Sequence, residues 1–193
     1  MKYADDVDPK YITKPLTHGG SFKDSNYGTK IKVPPYFFRG EHTKARLTLP
    51  ARPIAVATSF EFARGYGKWV GVYKLVRPVK MIDGIFAWYS KHIEDLGGGA
   101  TAFHHEASPA LAKQPFSIVL PGGMDEDLEY EALASRPNKD LKLIEIFDAV
   151  EWEKSLLAAV ASGTKSAIKD HTRPYMSKTF VANFLRDLEA YGE

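Results

Sequence analysis

The sequence predicts an α+β protein, and three observations carry that expectation. Short runs rich in β-branched and aromatic residues recur along the chain, most of them closed by Pro, Gly or charged residues. Helical patterns fall between and after these runs instead of alternating with them, so the order is not that of repeated βαβ units. At 193 residues, 44% hydrophobic and 12% aromatic, the chain is long enough to bury a full core without covalent staples.

Residues 1–30 are polar and rich in Gly, Ser, Asp and Lys, and read as an N-terminal arm or helical preface. Lys32-Val33-Pro34-Pro35-Tyr36-Phe37-Phe38 then leads through two prolines into an aromatic strand that ends at Arg39-Gly40. Pro50 and Pro53 bracket a turn before a second strand, Ile54-Ala55-Val56-Ala57-Thr58-Ser59. Phe60 to Gly67 fits a turn or two of helix with Ala63 and Tyr66 facing inward, stopped by Gly65 and Gly67. Trp69 to Val76 is a strong strand pattern, closed by Arg77-Pro78.

Met81 to Leu96 is expected to be helical, and Gly97-Gly98-Gly99 to be a plain loop, since no phosphate-loop consensus surrounds it. Phe116 to Leu120 reads as a strand, followed by a Pro121-Gly122-Gly123 turn and an acidic loop. Leu128 to Ala134 and Leu141 to Phe147 read as strands joined around Arg136 to Asp140. Val150 to Ala161 and Thr179 to Tyr191 have helical periodicity, the latter with Phe180, Phe184 and Leu188 on one face. The expected organisation is the arm at 1–30, a catalytic core at 31–150, and a C-terminal helical segment at 151–193 packed on that core.

The chain has no cysteine, which excludes disulfides and thiolate chemistry and restricts any zinc to His and carboxylates. His104-His105-Glu106 is the one cluster of such ligands, but adjacent histidines point apart, so no metal is expected. No G-x-S-x-G motif supports a serine hydrolase. Met1 to Lys14 lacks the apolar stretch of a Sec-type signal peptide, and no run approaches the ~18 apolar residues of a membrane span.

Net charge is only +2, but residues 21–80 carry 12 Lys/Arg against 3 Asp/Glu, and residues 81–153 carry 5 against 14. Two solvated faces explain this asymmetry. So does a basic first half that binds phosphates beside an acidic second half that meets a cationic target. A general nucleic-acid binder would more often be basic throughout.

Three signals follow one another in order: Arg39 at the end of an aromatic strand, the hydroxyl pair Thr58-Ser59 ending a strand, and the carboxylates of Glu129-Tyr130-Glu131 opening one. Each alone is unremarkable: a surface cation, a turn or cap, and the solvent face of an edge strand. Taken in order and in strand context, they resemble the catalytic domain of the Arg–Ser–Glu class of mono-ADP-ribosyltransferases, found in bacterial toxins and effectors and in bacteriophage enzymes. The resemblance covers residues 33 to 148. Ala57-Thr58-Ser59-Phe60 through Ala63-Arg64-Gly65-Tyr66 matches the family's second motif and following helix, and Pro121 to Leu128 occupies the place of its target-recognition loop. The first Ser of the family's Ser-Thr-Ser motif is Ala57 here, and the loop lacks the usual hydrophobic tip.

The resemblance implies an ADP-ribosyltransferase-like fold of two packed, mostly antiparallel sheets with flanking helices. It implies transfer of ADP-ribose from NAD, a co-substrate, to a protein side chain, arginine by the family's pattern, with release of nicotinamide and no metal. Breaking the nicotinamide–ribose bond builds an oxocarbenium-like cation. Glu131 would stabilise that cation and bond the ribose 2′-hydroxyl. Arg39 would pair with an NAD phosphate, and the backbone of Gly40 would lie against the nicotinamide amide. Thr58 and Ser59 would position Glu131 or the ribose. Phe60 or Tyr66 would offer a ring to nicotinamide, or simply pack in the core. Glu129, on the same strand face as Glu131, would receive the attacking guanidinium. Alternatives on the same site are NAD hydrolysis, a nucleic-acid acceptor, or an NAD- or ADP-ribose-binding module without turnover. The expected setting is the cytoplasm, of the producing cell or of a host after delivery, with no membrane partner.

Overall fold

The β-rich runs of the sequence become a layered arrangement of two unequal sheets and several helices. The computed structural model describes residues 12–23, 28, 30–83, 112–113, 115–120, 131–177 and 179–191. A small antiparallel pair, β1 (Ser21–Lys23) and β2 (Lys30–Lys32), stands apart from a seven-stranded sheet. The large sheet contains β3 (Phe37–Glu41), β4 (Ile54–Ala57), β5 (Trp69–Leu75), β6 (Met81–Asp83), β7 (Ile118–Leu120), β8 (Glu131–Ala134) and β9 (Leu141–Asp148). Their spatial order is β6-β7-β8-β4-β3-β5-β9, and only β6 and β7 run parallel.

This sheet is creased. β3 pairs with β5 from Phe37 to Glu41, and β4 pairs with β8 from Ile54 to Ala57, but β3 and β4 meet at the single pair Phe38–Ala57. The two halves of this larger sheet share a core. Phe37 and Tyr73 from one half bury with Ile54, Val56, Ile118 and Ala132 from the other. On the opposite face a second core gathers Phe38, Ala57 and Phe147 of the sheet with α1 (Phe60–Arg64), α3 (Ala149–Ala161) and α5 (Phe180–Tyr191). Phe60 meets Phe147 edge-on at 5.1 Å, and Trp152 stacks on Phe180 at 5.8 Å. Such aromatic pairs contribute about 1 kcal/mol each beyond burial. Phe180 and Phe184 do share a packed face; the side chain of Leu188 lies outside the described residues.

Two local expectations need correction. Met81–Asp83 is a strand, not the start of a helix, because Met81 and Ile82 are both fully buried where β6 lies parallel to β7. The rest of the expected helix, residues 84–96, lies outside the described residues, as do Gly97-Gly98-Gly99 and His104-His105-Glu106. The Arg136–Asp140 connection contains a short helix, α2 (Pro137–Asp140), whose Asp140 is wholly buried and accepts Arg77 Nε and Nη2 at 3.0 and 2.7 Å. The described part of the N-terminal preface is hydrogen-bonded to the core. Leu16 bridges Val79, Thr13 N–H donates to Met81 O at 2.9 Å, and His18 Nε2 accepts the Leu75 N–H at 2.8 Å. That acceptor role leaves the proton on Nδ1, which donates to Pro34 O at 2.6 Å. A further helix, α4 (Ala167–His171), links α3 to α5. Among the described residues no helix is long and apolar enough to cross a membrane.

Candidate active site

The crease between β3 and β4 opens into a cleft of about 420 Å³, a size typical of small-molecule sites. Its walls come from three strands and one helix: Phe38 to Glu41 of β3, Ala55 to Ala57 of β4, Glu131 of β8, and Phe62 and Ala63 of α1 with Tyr66 just beyond it. Arg39, Gly40, Glu131 and Tyr66, expected from sequence as site residues, therefore converge on one cavity.

Alternation along β3 points Phe37, Arg39 and Glu41 to one face and Phe38 and Gly40 to the other. Arg39 consequently lies beside Glu41 and donates to it from two nitrogens: Nε–H at 2.8 Å and Nη2–H to the same oxygen, Oε1. Its Nη1 reaches Ala55 O on the neighbouring strand at 3.3 Å. The side chains are 25% and 11% exposed, so this is a mostly sheltered, charge-assisted pair that fixes the guanidinium plane. Behind it Tyr73 donates to Leu47 O at 2.7 Å, which anchors a short 3-10 helix, Lys44–Leu47. Burial lifts the Tyr73 hydroxyl far above the usual tyrosine value, with Arg39 opposing and Glu41 reinforcing that shift.

Glu131 opens β8 directly opposite Ala57 and is half-buried. Tyr66 stands at the cleft rim, 58% exposed, with its ring edge-on to Phe62 at 5.1 Å. Its hydroxyl is pushed up by burial and, after that, by the negative charge of Glu131. Tyr66 thus does not face inward as expected; Ala63 does, at 1% exposure. Gly40 is required by close approach: a Cβ there would sit 1.9 Å from Ala63 O. The glycine lets the end of α1 rest on the strand and floor the cleft.

Three expected members are placed elsewhere. β4 ends at Ala57, two residues sooner than expected, and Thr58 and Ser59, which lead into α1, are not part of the cleft lining. Ser59 is the N-cap of α1. Its Oγ accepts from Phe62 N–H at 3.3 Å and donates to Glu61 Oε2 at 2.9 Å. Phe60 is fully buried in the second core, and it is Phe62 whose ring faces the cleft. Glu129 and Tyr130 lie outside the described residues, as does the loop at 121–128.

Sequence reading missed Glu41 and Phe62. Glu41 carries its own signal, an acid two residues beyond Arg39 on a strand that had only to be extended by one residue. Among the described residues the cleft is lined by one cation, Arg39, and two carboxylates, Glu41 and Glu131, around an apolar floor. A carboxylate in such a setting stabilises positive charge developing on a bound group. Among the described residues no group of three or more His, Cys, Asp or Glu is arranged to hold a metal ion. Compared with models of known families, with curated proteins and with solved structures, the chain finds no match.

Proposed function

We propose that the chain transfers ADP-ribose from NAD to an arginine side chain of a protein. The observation that carries this reading is the convergence of Arg39, Gly40, Ala57 and Glu131, from three separate strands, on one cleft, with Glu131 directly opposite Ala57. Arg39, Gly40 and Glu131 are residues to which the sequence resemblance assigns a role, and Ala57 stands where its motif has the first Ser.

In the proposed reaction the bond between nicotinamide nitrogen and ribose C1′ breaks, and nicotinamide leaves with the bonding pair. The ribose is left as an oxocarbenium-like cation, beside which the Glu131 carboxylate supplies fixed negative charge. A guanidine nitrogen of the target then bonds C1′ and gives up a proton. The second carboxylate at the cleft, Glu41, holds Arg39 rather than the substrate. Phe62 and Tyr66 form the aromatic wall against which a planar base would pack. Glu129 retains the role that the resemblance gives it, orientation of the attacking guanidinium.

A second reading, binding without turnover, draws on Ala57. The position opposite Glu131 carries a methyl where the resembled motif carries a hydroxyl. Labelled NAD separates the readings. Transfer of label to protein is expected, with Glu131→Gln at least about 100-fold slower and unchanged in melting temperature. Release of nicotinamide without transfer would make the enzyme a hydrolase, and binding with neither would favour the second reading. Full activity in Glu131→Gln would refute the assignment.

A further inference from the structure

Arg39 is already engaged, and this bears on which cation meets the ligand. Two of its nitrogens converge on Glu41 Oε1 and a third reaches Ala55 O, with the Glu41 side chain only 11% exposed. Prying such a pair apart would cost about thirtyfold in a binding constant. An anionic ligand gains little by competing with Glu41 for this guanidinium. The other oxygen of the same carboxylate, Oε2, lies 3.9 Å from Arg46 Nη1, and the Arg46 side chain is 71% exposed. A contact of that length at the surface costs less than about fivefold to give up.

The backbone beneath Arg46 is fixed even though its side chain is not. Arg46 sits in the 3-10 helix Lys44–Leu47, one residue before Leu47, which is fully buried and accepts the Tyr73 hydroxyl. The neighbouring Lys44 holds its Nζ 4.0 Å from the centre of the Trp69 ring. Arg46 therefore holds an exposed fork beside Glu41, one of the cleft's lining residues; among the described residues the charged lining, Arg39, Glu41 and Glu131, sums to one negative charge.

We propose that Arg46 is the residue that binds the phosphate groups of the nucleotide, while Arg39 is a positioning residue that keeps Glu41 and the β3–β4 junction in place. The inference rests on the NAD reading of the cleft and adds a division of charge to it. The cationic nicotinamide end lies inward against Glu131, and the diphosphate lies outward against Arg46.

Calorimetric titration of the full chain with ADP-ribose, at low and high salt, tests it. Arg46→Ala is expected to weaken binding about tenfold at low salt, to flatten its salt dependence, and to leave the melting temperature unchanged. Arg46→Lys should recover most of the loss, since it keeps the charge. Arg46→Ala binding with wild-type affinity and salt dependence would overturn the assignment. So would a loss that is the same at both salts and comes with a lowered melting temperature. If the wild-type chain binds no ADP-ribose at all, the NAD reading fails and the role of Arg46 fails with it. Wild-type binding that Arg46→Ala leaves intact would overturn only the second.

Discussion

Replacing Glu41 by Gln tests the structural centre of the cleft. The change keeps shape and one acceptor oxygen but removes the charge that faces Arg39. The guanidinium, 25% exposed, would keep part of its hydration, so the cost falls between that of an exposed pair and that of a buried one. About 2 kcal/mol is expected. For a domain of 193 residues that lowers the melting temperature by about 4–8 °C. Urea denaturation followed by circular dichroism measures it directly, and a double-mutant cycle with Arg39→Gln isolates the pair. With the cation already gone, Glu41→Gln should cost under about 1 kcal/mol, giving a coupling of at least about 1 kcal/mol. A loss below about 0.5 kcal/mol in the single variant, or a coupling indistinguishable from zero, would refute the idea that this carboxylate clamps Arg39.

Gly40→Ala should destabilise the chain by about 3 kcal/mol, since its Cβ must displace the carbonyl of Ala63; equal urea midpoints would contradict that close approach. Ala57→Ser places a hydroxyl opposite Glu131 and should raise the rate of NAD consumption by up to about tenfold. An unchanged rate would show that the carboxylate needs no such support. Asp148 caps α3 by accepting Glu151 N–H at 3.0 Å and meets Lys68 Nζ at 3.4 Å. Burial pushes its carboxyl upward, but the amides of Glu151 and Val150 and the Lys68 ammonium outweigh it, so it titrates below its ordinary value. Its contribution is thus present at neutral pH and is lost as pH falls through the lowered folded-state value. Asp148→Ala should cost about 1 kcal/mol at pH 7, with the difference from wild type closing in acid. A difference that persists at the lowest pH would exclude the charged cap.

The strands were legible where a run was both β-branched or aromatic and bounded. Trp69 to Val76 differs from β5 by one residue, and Val150 to Ala161 from α3 by one. Met81–Asp83 was not legible, because three residues carry no period and the apolar run beyond them fits a helix equally well. The site followed the same division. Arg39 and Gly40 lie within β3 and Glu131 opens β8, in runs whose strand pattern fixes placement, and they line the cleft. Ser59 and Phe60 sit where strand becomes helix. There a shift of two residues in the end of β4 converts a site hydroxyl into a cap and a site ring into core. The clamp of Glu41 on Arg39 lies within a single strand and could have been read from alternation alone. The approach of Ala63 to Gly40 is tertiary and left no trace in the local sequence.

The single pair Phe38–Ala57 that joins the two halves of the large sheet has a mechanical consequence. Glu131 belongs to one half and Arg39 to the other, so the distance between them depends on the angle of the fold. One backbone pair and the Arg39–Ala55 bond span that fold beside the cleft, while the shared core of Phe37, Tyr73, Ile54 and Val56 acts as the wedge that holds it open. Trimming a methyl from that wedge would change the gape of the cleft without touching any residue that lines its charged walls. The ligand affinity of the cleft and the packing beneath Tyr73 are therefore expected to vary together in this protein.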